Sequence, residues 1–179
     1  VWAEDDVKSF VENLWEASED SSLTNYFCGS MVLFQNSDGI YEIVDGQQRT
    51  TVVYVLMCNL INAVDDDERK MSWRLKYIQD YEIDGRKTAL FTHKLDDVRK
   101  FIDDVGQGVV DRSSINQEIL ILQTLYDCYE TINEFVMDKI GTDQKKLSKF
   151  FKFVSEDAFV IHYLAENMSD ALLTYTRLN

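Results

Sequence analysis

Residues 41–62 read YEIVDGQQRTTVVYVLMCNLIN, and three textures follow one another inside them. Residues 40–44, IYEIV, alternate as a half-buried strand does. Asp45-Gly46 ends that strand, because glycine opens backbone conformations that side chains forbid. Residues 48–64 then form an apolar run too long for a strand, which predicts a buried helix. Between strand and helix sit two amides, a guanidinium and two hydroxyls: Gln47, Gln48, Arg49, Thr50 and Thr51. Polar groups crowded against a buried helix are either satisfied locally or held for a ligand.

Upstream, residues 4–19 place Val7, Phe10, Val11, Leu14 and Trp15 at helical spacing, with acids in the first turn where the macrodipole favours them. Residues 27–35 (FCGSMVLFQ) read as a buried strand, joined through the NSDG turn at 36–39 to residues 40–44 as an antiparallel hairpin. Downstream, residues 65–72 read as a charged connector and residues 77–92 as a second hairpin around Asp84-Gly85. Asp96 is the expected cap of a helix running to about Val105, which Gly106-Gln107-Gly108 breaks. Residues 114–140 predict one long helix, with Ile115, Ile119, Leu122, Leu125, Tyr126, Tyr129 and Ile132 on one stripe and Gly141 at its end. Thr142 opens another helix, residues 157–165 resemble a strand although a helix is open to them, and residues 168–178 form a final helix. The expected class is α+β, helix-rich, with a small β element carrying the strand-to-helix turn. Residues 1–64 hold that element, and residues 65–179 are a mainly helical continuation of the same domain.

At 179 residues the chain is long enough for a real core. Its net charge of −14 argues against a duplex-gripping surface, since phosphate backbones are bound by Lys and Arg. One nucleotide needs only a few local donors, so charge does not exclude it. Cys28, Cys58 and Cys128 form no C-x-x-C pair and lie in apolar surroundings, which favours free thiols in a reducing cytoplasm. No signal peptide and no apolar run of membrane-spanning length appears, so no membrane partner is expected. The oligomeric state is open, a homo-oligomer included. Beginning at Val1-Trp2 without a methionine and stopping at Leu178-Asn179, the chain reads as an excised fragment.

A strand ending in Asp-Gly and feeding a helix is a physical recipe for holding an anion, because the first N–H groups of a helix lack internal partners. Gly46 would let a ligand approach the backbone, and Arg49 offers a planar fork for phosphate oxygens. Gln47 and Gln48 both donate and accept, which suits orienting a water or reading a base edge. Asp45 has three options: to hold Arg49, to bind a metal through water, or to cap the helix. Thr50 and Thr51 add hydroxyls in the first turn. The same residues also fit a plain turn followed by a surface arginine. Neither a Walker A loop nor a Rossmann fingerprint is present. Elsewhere, His93 and His162 lack an HNH-like context, and His162 reads as a core or sheet-edge residue. The carboxylates of Asp96, Asp97, Asp103 and Asp104 read as a solvated face, and Phe150, Phe151, Phe153 and Phe159 as core.

The string YEIVDGQQRT resembles the signature of the GmrSD-type family, whose N-terminal domain is ParB-like. Val1-Trp2 is similar to the end of that family's upstream "IPxYQRxYxW" motif, NYFCGSMVLFQ (25–35) to its "yFLGSIVL" strand, and ALLTYTRLN (171–179) to the start of its "A…F…LNxRG" motif. Where the family usually reads DGQQRLTTL, this chain has Thr50 and Val52 at the second and fourth positions after Gln48. The resemblance implies a ParB-like domain that binds and hydrolyses a nucleoside triphosphate with Mg²⁺, within a bacterial restriction or phage-defence endonuclease. DNA would be engaged only through other parts of the parent protein. It further implies a nucleotide pocket of Asp45, Gly46, Gln47, Gln48, Arg49, Thr50 and Thr51, with Gln47, Gln48 and Arg49 serving catalysis, Asn179 opening a motif that closes the pocket, and no residue assigned as a metal ligand. Against it stands a second reading, a non-catalytic acidic module that docks a partner protein and uses the DGQQR loop structurally.

Overall fold

In chain order the protein forms helix α1 (Glu4–Glu19), strands β1 (Tyr26–Gln35) and β2 (Tyr41–Asp45), helices α2 (Gln47–Asn62) and α3 (Asp67–Tyr77), strands β3 (Gln79–Tyr81) and β4 (Lys87–Ala89), helices α4 (Asp96–Gln107), α5 (Leu120–Lys139) and α6 (Gln144–Lys152), strand β5 (Ala158–Ala165) and helix α7 (Met168–Leu178). This computed structural model describes residues 2–23, 25–81, 87–89, 91–116 and 118–178. The class is α+β. Helix α2 is buried along most of its length, from Val52 through Tyr54–Ile61, as a helix apolar on all sides must be. Helices α3, α4, α5 and α6 pack around it. One core cluster runs from Val7 of α1 through Leu56 and Leu60 of α2 to Ile132 and Phe150. Asn62, at the end of α2, ties two neighbours to it: its amide donates to the Val105 carbonyl at 3.2 Å and accepts from Arg74 at 2.6 Å.

The three-stranded sheet has the order β2-β1-β5, so β1 is central. Strands β1 and β2 are antiparallel, and the Asn36 side chain accepts from the backbone of Asp38 and Ile40 to close the turn between them. Strand β5 joins the other side of β1 in parallel, with Ser30 opposite Ile161 and Phe34 opposite Ala165. Helix α7 lies on this sheet, where Val32, Ala165 and Ala171 make a second small core with Phe34 and Val44. Strand β5 is otherwise exposed, and Phe159 sits at 42 % exposure against Phe27, at 5.6 Å between ring centres. Phe159 is therefore not core, unlike Phe150, Phe151 and Phe153: it stands near the start of β5, an edge strand of the sheet.

Several sequence expectations need correction. The charged connector is partly a helix: α3 begins at Asp67, capped by the Asp66 carboxylate accepting from the Arg69 N–H at 2.6 Å. It buries none of its residues, so hydrophobic spacing could not announce it. The long helix starts at Leu120 rather than 114, because Arg112–Ser114 form a 3-10 turn and the Asn116 side chain accepts from the Glu118 N–H. Asp143, not Thr142, caps α6 by accepting from Lys145 and Lys146, and Leu95 occupies the cap position before Asp96. Strands β3 and β4 pair antiparallel as the second hairpin requires, with Asp80 opposite Thr88, whereas its Asp84-Gly85 turn lies outside the described residues.

Candidate functional site: the DGQQR strand-to-helix turn

Strand β2 delivers Asp45 beside Val32 of β1, and Gly46 turns the chain into α2 with φ 88° and ψ 7°. A Cβ at that position would lie 3.0 Å from the Met31 Cβ and 3.4 Å from the Ser30 carbonyl oxygen, so the turn presses directly on β1. Gly46 occupies the N-cap position of α2 and supplies no side-chain bond there, and among the described residues no side chain is seen to cap the helix. The first helical bond is donated by the Thr50 N–H to the Gly46 carbonyl at 3.0 Å, so the N–H groups of Gln47, Gln48 and Arg49 precede the ladder. Helices α1, α3 and α4 carry acids in their first turns, but α2 carries none and has Arg49 there. In a chain of net charge −14, the positive end of α2 is thus left without a first-turn carboxylate.

The side chains divide into inward and outward sets. Arg49 reaches across to β1, and its Nη1 donates to the Ser30 carbonyl at 2.8 Å. Among the described residues no ion pair joins Arg49 to Asp45. The Thr50 hydroxyl donates to the Gly46 carbonyl at 2.9 Å and the Thr51 hydroxyl to the Gln47 carbonyl at 2.8 Å, which turns both back onto their own helix. Gln47 is exposed, yet its amide donates to the Ile43 carbonyl at 2.7 Å, and its oxygen accepts no hydrogen bond among the described residues. Gln48 is exposed and carries no side-chain hydrogen bond among the described residues. Arg49 and Asp45 are half-buried. The geometry brings the residues of positions 45–51 into one turn and adds to them the Ser30 carbonyl and Gly29 of β1. Asn179 lies outside the described residues.

Gly29 of β1 has no role among the sequence expectations above. Its available signal was a glycine inside a strand, which marks a bulge or a close approach of other groups. Beside it, burial raises the Cys28 thiol above its ordinary value, and the Arg49 charge works against that rise.

Residues 1–179 match the model of the GmrSD restriction endonuclease N-terminal domain. The chain belongs to that family. Among curated proteins none matches it. In this GmrSD-family domain the two clefts best formed among the described residues lie away from the turn. One, of about 300 Å³, is lined by Arg112, Ile115, Gln123, Tyr126 and Asp127; the other, of about 70 Å³, lies beside it between α4 and α5. Among the described residues no group of three or more His, Cys, Asp or Glu side chains could hold a metal ion. Nor is any helix among them long and apolar enough to cross a membrane.

Proposed function

We propose that this GmrSD-type domain binds a nucleoside triphosphate on the DGQQR turn and hydrolyses it, as part of a bacterial restriction or defence endonuclease working in the cytoplasm. The observation that carries the reading is the N-terminus of α2, with no acid in its first turn, an arginine fixed beside it and a left-handed glycine opening the backbone. Phosphates take up partial positive charge and unpaired N–H groups of this kind. Phosphoryl transfer asks mainly for positioning and charge stabilisation, which a guanidinium and oriented amides supply. Arg49 is the phosphate group's partner, and Gln48, whose side chain makes no hydrogen bond among the described residues, is the better placed of the two amides to orient a water. Mg²⁺ would enter with the triphosphate, held chiefly by phosphate oxygens and water, with Asp45 the nearest motif carboxylate; Mg²⁺ sites in phosphoryl-transfer proteins commonly use one or two carboxylates and the phosphates themselves. DNA engagement belongs to other parts of the parent protein.

One observation favours the alternative, an interaction module with a structural loop: Arg49, Thr50, Thr51 and Gln47 already bond within the protein. Turnover of the four ribonucleoside triphosphates with MgCl₂, measured beside the Gln48→Ala and Arg49→Ala variants, separates the two. Hydrolysis that falls tenfold or more in both variants, roughly the loss of one charge-assisted contact, supports the nucleotide reading. If the protein neither binds nor turns over any triphosphate, or both variants equal the parent, the loop is structural.

A further inference from the structure

The side of β1 facing Arg49 contains an irregularity. Phe27 pairs with Phe159 and Ser30 with Ile161, so Cys28 and Gly29 together oppose the single residue Val160. Two residues against one is a bulge, and it bends and re-aims the strand. Gly29 lies in it with φ 119°, a conformation that L side chains rarely adopt. The space over its α-carbon is filled by one group: a Cβ there would stand 2.6 Å from both Cζ and Nη1 of Arg49 and 2.9 Å from Nη2. The guanidinium plane therefore rests where every other residue type has its side chain. From that seat Nη1 reaches the carbonyl of the next residue, Ser30, at 2.8 Å.

We propose that Gly29 is a positioning residue for Arg49, the bulge of β1 forming a side-chain-free seat that fixes the guanidinium at the entrance to α2. The inference rests on the nucleotide reading above and adds to it a residue twenty positions upstream of the arginine it serves. Glycine is needed here for two separable reasons, the backbone conformation and the space. The three atoms nearest a methyl group at position 29 all belong to the far end of a long, flexible side chain, so the fold can keep its core while Arg49 swings out of the seat. Fixing the fork beforehand matters because a preorganised arginine loses less freedom when it grips phosphate.

The experiment measures affinity for each ribonucleoside triphosphate with MgCl₂ by calorimetry, in the parent protein and in Gly29→Ala, Arg49→Ala, the double variant, Arg49→Lys and Gly29→Ala/Arg49→Lys. Gly29→Ala is expected to weaken binding about tenfold or more, as Arg49→Ala does, and to add nothing once Arg49 is gone. It is also expected to change affinity little in the lysine background, where no planar fork occupies the seat. A Gly29→Ala protein that binds like the parent, or one whose loss persists in full without Arg49, overturns the proposal while leaving the nucleotide reading intact. An Arg49→Ala protein that binds like the parent overturns both. Should Gly29→Ala not fold, the side-chain ¹⁵N signals of Arg49 in the parent protein decide. Resolved Nη signals, from a guanidinium whose rotation is slowed, support the seat; signals averaged as in a freely rotating surface arginine refute it.

Discussion

Replacing Gly46 by alanine tests whether α2 presses on β1 as closely as described. A left-handed backbone costs an L-residue about 1–2 kcal/mol, and the lower entropy of the unfolded alanine chain offsets about 0.4–1 kcal/mol of that. Gly39, with φ 79° and only the Gln35 amide 3.9 Å from its would-be Cβ, isolates this backbone contribution. Gly46 adds steric contact with Met31 Cβ at 3.0 Å and the Ser30 carbonyl at 3.4 Å, both close to the main chain and unable to swing aside. Overpacking of that kind costs about 1–3 kcal/mol. Gly46→Ala should therefore unfold below Gly39→Ala by roughly 2–12 °C for a chain of this size, at about 2–4 °C per kcal/mol. Differential scanning calorimetry on the two variants side by side is the assay. Equal melting temperatures would mean that the turn does not touch β1, and the site geometry would have to be abandoned.

Three further outcomes are expected. Phe150, 1 % exposed and 5.1 Å from the Trp15 ring, should cost about 3–5 kcal/mol when cut to alanine, read from urea denaturation; a loss under about 1 kcal/mol would deny it the centre of the core. Burial pushes the Cys58 and Cys128 thiols up to about 12, so at pH 8 their thiolate fraction is on the order of one in ten thousand. A disulfide-exchange reagent should therefore count them only after denaturation, with Cys28 reacting first in the native protein. At physiological salt this chain, at net charge −14, should show negligible binding to duplex DNA in a gel-shift titration, and a micromolar affinity would refute the charge argument.

The hairpin and α2 were legible because each had a strong local pattern: alternation over Tyr41–Val44, an Asp-Gly break, then an apolar run that only burial explains. Helix α3 was not, since none of its residues is buried and its local signals, the Asp66 cap with acids in the first turn and Arg74 and Lys76 in the last, blend into a charged stretch. Residues 114–119 misled because Ile115 and Ile119 continue the stripe of α5, while Asp111 and Asn116 take the nearby N–H groups into turns. At the site, the motif's own residues could be read from sequence. The inward bonds of Thr50 and Thr51, and the contact of Arg49 with Gly29 and Ser30, depend on how β1 meets α2 in space. No local window contains that information.

The parallel pairing of β1 with β5 also sets a schedule for folding. Ser30 and Ile161 are neighbours in the sheet yet roughly 130 positions apart in the chain, a contact whose loop-closure cost slows its formation. Hairpin β1–β2 and helix α2 are complete by residue 62, so the whole DGQQR segment leaves the ribosome long before β5 exists. The bulge at Cys28-Gly29, however, is defined only against Val160. A nascent chain therefore carries the motif early and acquires the shape of its arginine seat last, when β5 docks.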